Sequence, residues 1–128
     1  MPTPATPSTP EDLFAHSPTG LTICRAFAAL VAEVTGDDVT TRTTKTQVAF
    51  RRHRGFAFVW PPWVGVRDHV DVPATVSFVL AREESSPRVH QVVHPSAHAW
   101  THHVEVHDPA ELDDEVAAWV REAYDAAG

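Results

Sequence analysis

The sequence predicts an α+β domain in two layers: one mostly antiparallel sheet of about five to six strands, with an N-terminal and a C-terminal helix packed on it. Three observations carry this. Apolar residues at spacings of three and four mark a helix between Ser17 and Gly36, alternating strand patterns follow, and a capped amphipathic helix closes the chain after Asp108. A chain of 128 residues suits one domain and buries roughly two thirds of its unfolded surface without staples.

The opening MPTPATPSTP holds four prolines and no large apolar side chain after Met1, so residues 1–11 are expected to be a flexible Pro/Thr-rich tail and 12–128 the domain. Ser17-Pro18 supplies an N-cap and a first-turn proline, and Gly36 a stop. Between them Ile23, Cys24, Phe27, Leu30, Val31 and Val34 share the face that meets the sheet. A short strand is expected near residues 39–43, then two hairpin arms at about 46–52 and 56–60. Strict alternation sets Val48 and Phe50 on one face of the first arm, and Phe56, Phe58 and Trp60 on one face of the second. The turn between the arms is Arg51-Arg52-His53-Arg54-Gly55, charged and ending in glycine as an exposed tip should.

Pro61-Pro62-Trp63 ends the aromatic arm, and the stretch to Pro73 reads as a loop with Gly65 and Asp68 at turns. Residues 75–81, TVSFVLA, carry few charges and suit a central strand; 83–87 is an exposed connection. Val89, Val92 and Val93 favour a strand while Pro95 interrupts it, so a short strand and a helical turn both fit there. Residues 101–106 form a clearer strand, with His102, Val104 and Val106 on one face and His103 and Glu105 on the other. Asp108-Pro109-Ala110-Glu111 provides a cap, a first-turn proline and a reciprocal carboxylate for a helix whose buried stripe is Leu112, Val116, Trp119, Val120 and Ala123.

Composition excludes several classes. The one cysteine, Cys24, lies in the helical stripe without a bridging partner and reads as packing in a reducing, cytoplasmic protein. No apolar run approaches the roughly 20 residues of a membrane span, so no membrane partner is expected. The net charge of −7 argues against nucleic acid as a partner, since such a surface must neutralise several phosphates. Charge is unevenly spread, however. Arg42, Lys45, Arg51, Arg52 and Arg54 are five of the ten cations, a local anion-friendly patch on an acidic body.

Among residues with chemistry to offer, the nine histidines raise a metal hypothesis, which spacing weakens. The fourfold recurrence of His90, His94, His98 and His102 needs a helix that Pro95 breaks. On a strand His103 and Glu105 share a face and supply two ligands at most, so they are weak metal candidates, and no cofactor is expected. The arginine tip suits a phosphate or carboxylate through Arg51 and its neighbours, or simply a soluble turn that discourages edge pairing. Lys45, between the hydroxyls of Thr44 and Thr46, is placed to point into a cleft at the sheet end. Trp60, Trp63 and Trp100 suit the wall of an apolar pocket or the core. No nucleophile elbow, phosphate-binding glycine loop, Cys-x-x-Cys pair or zincin helix occurs.

Three segments taken together, TKTQVAFRRHRGFAFVW at 44–60, HAWTHHVEV at 98–106 and DPAELDDEVAAWVREAY at 108–124, resemble the bacterial family called domain of unknown function 5655. Lys45, Phe50, Arg51 and Phe56 match its hairpin motif, and His98 with Trp100 its His-Trp segment, although Ala99 separates a pair that is adjacent in the common pattern. The resemblance implies a small α+β domain found alone or fused to other modules, with no established activity. It is also distantly similar to the YdhG-like domains, some of which are called iron chaperones.

The functional expectation is a non-enzymatic binding module for a small anionic or aromatic ligand or a partner protein, with Lys45, Arg51, Trp60, His98 and Trp100 as ligand-binding candidates. Two alternatives stand beside it: an enzyme using His98 or His102 as general acid or base with Lys45 as electrostatic stabiliser, and a histidine-mediated metal carrier.

Overall fold

The same N-cap grammar is used twice at the start of the chain in the computed structural model, which describes residues 9–62 and 72–128. Thr9 Oγ1 accepts from the Asp12 N–H and opens α1 (Pro10–Leu13), so Pro10 and Glu11, expected in the tail, already belong to a helical turn. Its function is to bury Leu13 and Phe14. The remainder of the expected tail, together with Trp63, Gly65 and Asp68, lies outside the described residues. Ser17 then caps α2 (Pro18–Val34) by accepting from the Gly20 N–H at 3.2 Å while its hydroxyl donates to the Pro73 carbonyl at 3.3 Å. Gly20 is required by contact: a Cβ there would run into that same Pro73 carbonyl oxygen, the Ser17 hydroxyl and the Phe14 ring.

The strands are β1 (Thr40–Thr43), β2 (Val48–Arg51), β3 (Gly55–Trp60), β4 (Ala74–Leu80), β5 (Gln91–Ser96) and β6 (Ala99–Val106), paired antiparallel in the order β1-β2-β3-β4-β6-β5. The uncertain stretch before residue 99 is thus the edge strand β5, where Pro95 is tolerated because no further ladder needs its missing N–H; the pairing with β6 is irregular at that point, between Val93 and Ser96. A 3₁₀ turn (Pro109–Glu111) leads into α3 (Asp114–Ala126). The predicted cap at Asp108 therefore serves the 3₁₀ turn, through the Ala110 N–H at 2.8 Å, and α3 has its own cap in Asp113, which accepts from the Val116 N–H. Two successive Asp caps split what the sequence pattern reads as one helix start.

The helices cover one face of the sheet. Val48, Phe50, Ala57, Val59, Val76, Phe78 and Val104 point to them and are buried, as the β6 alternation of His102, Val104 and Val106 requires. Phe27 of α2 meets Phe50 edge-on at 5.7 Å, and Phe78 is stacked between His102 (5.2 Å, 7°) and Trp119 of α3 (5.1 Å, 20°). Each such side chain contributes roughly 1.5–3 kcal/mol by leaving water.

One feature breaks the alternation. Phe50 pairs with Ala57 and Arg51 with Gly55, so Phe56 is an extra residue in β3, a β-bulge. Phe56 is thereby re-aimed to the helix side, where it meets the Tyr124 ring edge-on at 5.7 Å and is 1% exposed. It does not share a face with Phe58 and Trp60, which stay on the opposite side.

Candidate functional site

The structure divides the arginine tip between the two faces of the sheet. Arg52 and Arg54 turn to the helix side and donate to the last carbonyls of α3, Arg52 Nη1 to Tyr124 at 3.1 Å and Arg54 Nη2 to Ala126 at 2.7 Å. These are orphan acceptors at the negative end of the helix dipole, so two cations suit them. Arg52 also donates Nε to Asp38 Oδ2 at 2.7 Å and lies 4.1 Å from the Tyr124 ring centre, while the Tyr124 hydroxyl donates to Asp38 Oδ1 at 2.6 Å. The hydroxyl, and then the guanidinium, hold the Asp38 carboxyl below its usual range. Of the three arginines only Arg51 lies on the open side of the sheet, exposed at the end of β2.

On that open face the register forms one row, Arg42, Ala49, Phe58, Ser77, His103 and Gln91, from β1 to β5. Trp60 Nε1–H donates to Ser77 Oγ at 2.7 Å, and Ser77 Oγ lies 2.6 Å from His103 Nδ1. An indole nitrogen only donates, so the serine oxygen accepts from it, and the direction of the Ser77–His103 bond follows the His103 tautomer. Burial pushes the His103 pKa down, with the neighbouring His90 and His102 adding to it. Ser77 itself is 0% exposed beneath these two rings, so its hydroxyl orients Trp60 and does not present a nucleophile. Phe58 lies 6.2 Å from Trp60, and its ring rests over Gly55, where a Cβ would come 2.9 Å from Cζ. Sequence reading missed Ser77, although two hydroxyls at alternate positions in TVSFVLA, Thr75 and Ser77, signal that the strand's second face has polar partners.

A cleft of about 230 Å³ opens at the end of the sheet where the β2–β3 and β5–β6 tips meet the C-terminus of α3. Phe56, Val79, Leu80 and Ala123 line it with apolar surface, and Arg54, Ser96, His98 and Thr101 supply its polar groups.

The predicted residues are thus dispersed. His98 lines the cleft, Arg51 and Trp60 lie on the open face, and Trp100 stacks on His94 at 4.0 Å near the β5 edge. Lys45 is exposed in the β1–β2 turn, where the Thr44 hydroxyl bonds that of Thr46 and accepts from the Thr46 and Gln47 N–H groups. That turn lies beyond the row Val48–Val59–Val76–Val104, whereas His98 precedes the first residue of β6. Six residues of strand, about 20 Å, separate the two levels. The expected pairing of Lys45 with His98 therefore does not form, because each lies in a turn at an opposite end of the sheet. His102 does not replace His98 in that pair, being 0% exposed under the helix layer. Of the weak metal candidates, His103 has Nδ1 engaged by Ser77, and Glu105 Oε2 lies 3.5 Å from His90 Nε2. Among the described residues no three His, Cys, Asp or Glu side chains converge as a metal set.

His102 instead organises the β4–β5 connection. Its Nε2 accepts the Glu84 N–H at 2.8 Å, Glu84 Oε1 accepts from Trp119 Nε1 at 3.2 Å, and Arg82 pairs bidentately with Glu122. Arg88 reaches Asp113 and Glu115, both at 2.9 Å, and the Glu111 carbonyl at 2.7 Å. Desolvation pushes the His102 pKa below its ordinary value, against the pull of the Trp100 and Phe78 backbone.

The profile of the family described as domain of unknown function (DUF5655) matches residues 11–127. The chain belongs to the DUF5655 family. In this DUF5655 domain the hairpin motif comprises β2, the arginine tip and β3, and the closing segment is the 3₁₀ turn with α3. No curated protein and no solved structure matches the chain, and the more distant similarity to YdhG-like domains gains no support. No helix among the described residues is long and apolar enough to cross a membrane.

Proposed function

We propose that this DUF5655 domain is a binding module that takes a small anionic or aromatic ligand into the cleft at the hairpin end of the sheet. The observation that carries the reading is the cleft itself: an apolar floor of Phe56, Val79 and Leu80 beside a few polar groups, His98 among them. Sites of this kind orient a ligand with few polar contacts and gain affinity from apolar burial. At about 230 Å³ it suits a fragment-sized molecule, below the usual range of drug-sized pockets. The sealed position of Ser77 supports binding over nucleophilic chemistry at the Ser-His contact.

The test is a thermal-shift screen of small carboxylates, phosphates and aromatic acids. A ligand present at 100 times its dissociation constant stabilises the fold by about 2.7 kcal/mol, and the shift should shrink in His98→Ala. A panel with no shifting compound, or shifts indifferent to His98→Ala and to Ala123→Leu, which fills the floor, refutes the assignment.

A further inference from the structure

We propose that the open face of the sheet binds single-stranded nucleic acid, with bases stacked on Phe58 and Trp60 and phosphates carried along Arg42 and Arg51. This rests on the second face of the sheet and is independent of the cleft.

Two half-buried aromatic rings, neighbours at 6.2 Å, stand on the face of β3 turned away from the helices. Both are held in place. Trp60 is fixed by its hydrogen bond to Ser77, which is fixed in turn by His103; Phe58 lies on the bare backbone of Gly55. Rings with preset orientation are what a base needs in order to stack, and every base offers a π-face. Sheet faces that bind single strands use this arrangement of aromatic residues on adjacent positions.

Cations lie beside the rings. Arg42 occupies the same row as Phe58, two interstrand spacings away, or roughly 10 Å. Arg51 is two residues beyond Ala49 on β2, about 7 Å further along, and pairs with the Gly55 that supports the Phe58 ring. Arg42 and Arg51 therefore lie on a diagonal across β1 and β2, level with Phe58 and then toward the hairpin tip, on one side of the aromatic pair. Among the described residues the acidic member of these rows, Glu105, is across the sheet on β6, in the row Trp60–Thr75–Glu105, and faces His90. The face is thus polarised, positive where phosphates would run and negative on the far side.

The net charge of −7 is carried largely off these rows, since among the described residues Glu105 is the one carboxylate in a strand. On the helix side Asp113 and Glu115 pair with Arg88, Glu122 with Arg82, and Asp38 with Arg52. The arginine tip contributes only Arg51 to this face, because Arg52 and Arg54 cap α3. A duplex, whose bases are already stacked, cannot use Phe58 and Trp60 and retains only the arginines.

The experiment is fluorescence anisotropy of the full chain with a labelled single-stranded oligothymidylate of about 12 nucleotides, long enough to cover one such sheet. The matching duplex and thymidine monophosphate serve as competitors. Expected is binding at about 50 mM salt that weakens steeply with salt, with both competitors at least tenfold poorer. Phe58→Ala should lower affinity about tenfold, and Arg42→Ala or Arg51→Ala should each reduce the log–log salt slope by roughly 0.7. Arg121→Ala, the same charge change on α3, should leave affinity within about twofold. Should Phe58→Ala fail to fold by circular dichroism, the surface change Arg42→Ala decides. No binding at low salt, a duplex that competes equally, or affinity and slope unmoved by Arg42→Ala overturns the proposal; equal competition by the mononucleotide would assign the face to free nucleotides and overturns it too.

Discussion

Replacing His102 by Gln should remove a pH dependence from the stability of this domain. The imidazole is 0% exposed, lies flat on Phe78 at 5.2 Å, and accepts the Glu84 N–H at Nε2, so its single proton is on Nδ1. That Nδ1 atom has no partner within hydrogen-bond geometry, although the Trp100 and Phe78 backbone is near enough to favour the charged ring somewhat. Protonation would place a second N–H against the Glu84 N–H and a charge in the core. Arg82 opposes that charge, Glu84 favours it, and burial outweighs both.

The folded pKa is therefore below the ordinary 6.5, and the unfolded chain binds the proton more readily. Stability is fully present above the ordinary value and is lost as pH falls through it. If the folded ring stays neutral throughout, the loss between about pH 7.5 and 5.5 approaches 1.4 kcal/mol, since ten protonated unfolded molecules then accompany each neutral one. In a chain of this size that is roughly 4–7 °C of Tm. His103, also depressed by burial, adds a slope of the same sign. Gln retains an acceptor near the position of Nε2 and does not titrate. Urea unfolding at the two pH values should show the His102→Gln variant losing less than wild type, by up to about 1.4 kcal/mol. An unchanged pH dependence in His102→Gln would refute the reasoning, whatever the variant's absolute stability.

Gly20→Ala should destabilise by about 1–3 kcal/mol in chemical denaturation, because its methyl meets the Pro73 backbone, which cannot swing aside as a flexible side chain would. Cys24, whose thiol burial pushes up to about 12, should resist thiol reagents in the native state and react once denaturant opens the chain. Arg52→Ala should loosen the end of α3, seen as faster amide exchange at Ala126, Ala127 and Gly128 with little change in the centre of β4, since it removes the donor to Tyr124 and the partner of Asp38. Phe78→Ala, by contrast, should cost about 3–5 kcal/mol, as the ring separates His102 from Trp119 in the centre of the core.

Local pattern along the chain sets the α+β class, the positions of the main helices and of most strands, and the alternation of β6. These are set by neighbours two to four residues apart: Ser17 beside Pro18, the spacing of Ile23 to Val34, the polar and apolar faces of residues 101–106. It also held the family, in motifs whose order survives without any contact being known. Where those faces meet depends on long-range packing. One extra residue at Phe56 turns that ring to Tyr124 and leaves Phe58 and Trp60 on the other side, and no local pattern distinguishes a bulge from unbroken alternation. Arg51 and Arg52 are adjacent in the chain yet serve opposite faces, one exposed beside Gly55 and one capping a helix 72 residues away. Ser77 and His103 are 26 residues apart and touch only because β4 pairs with β6 in that register. Register and bulge placement depend on how long-range packing fills the core, and that information is spread over residues that sequence proximity does not connect.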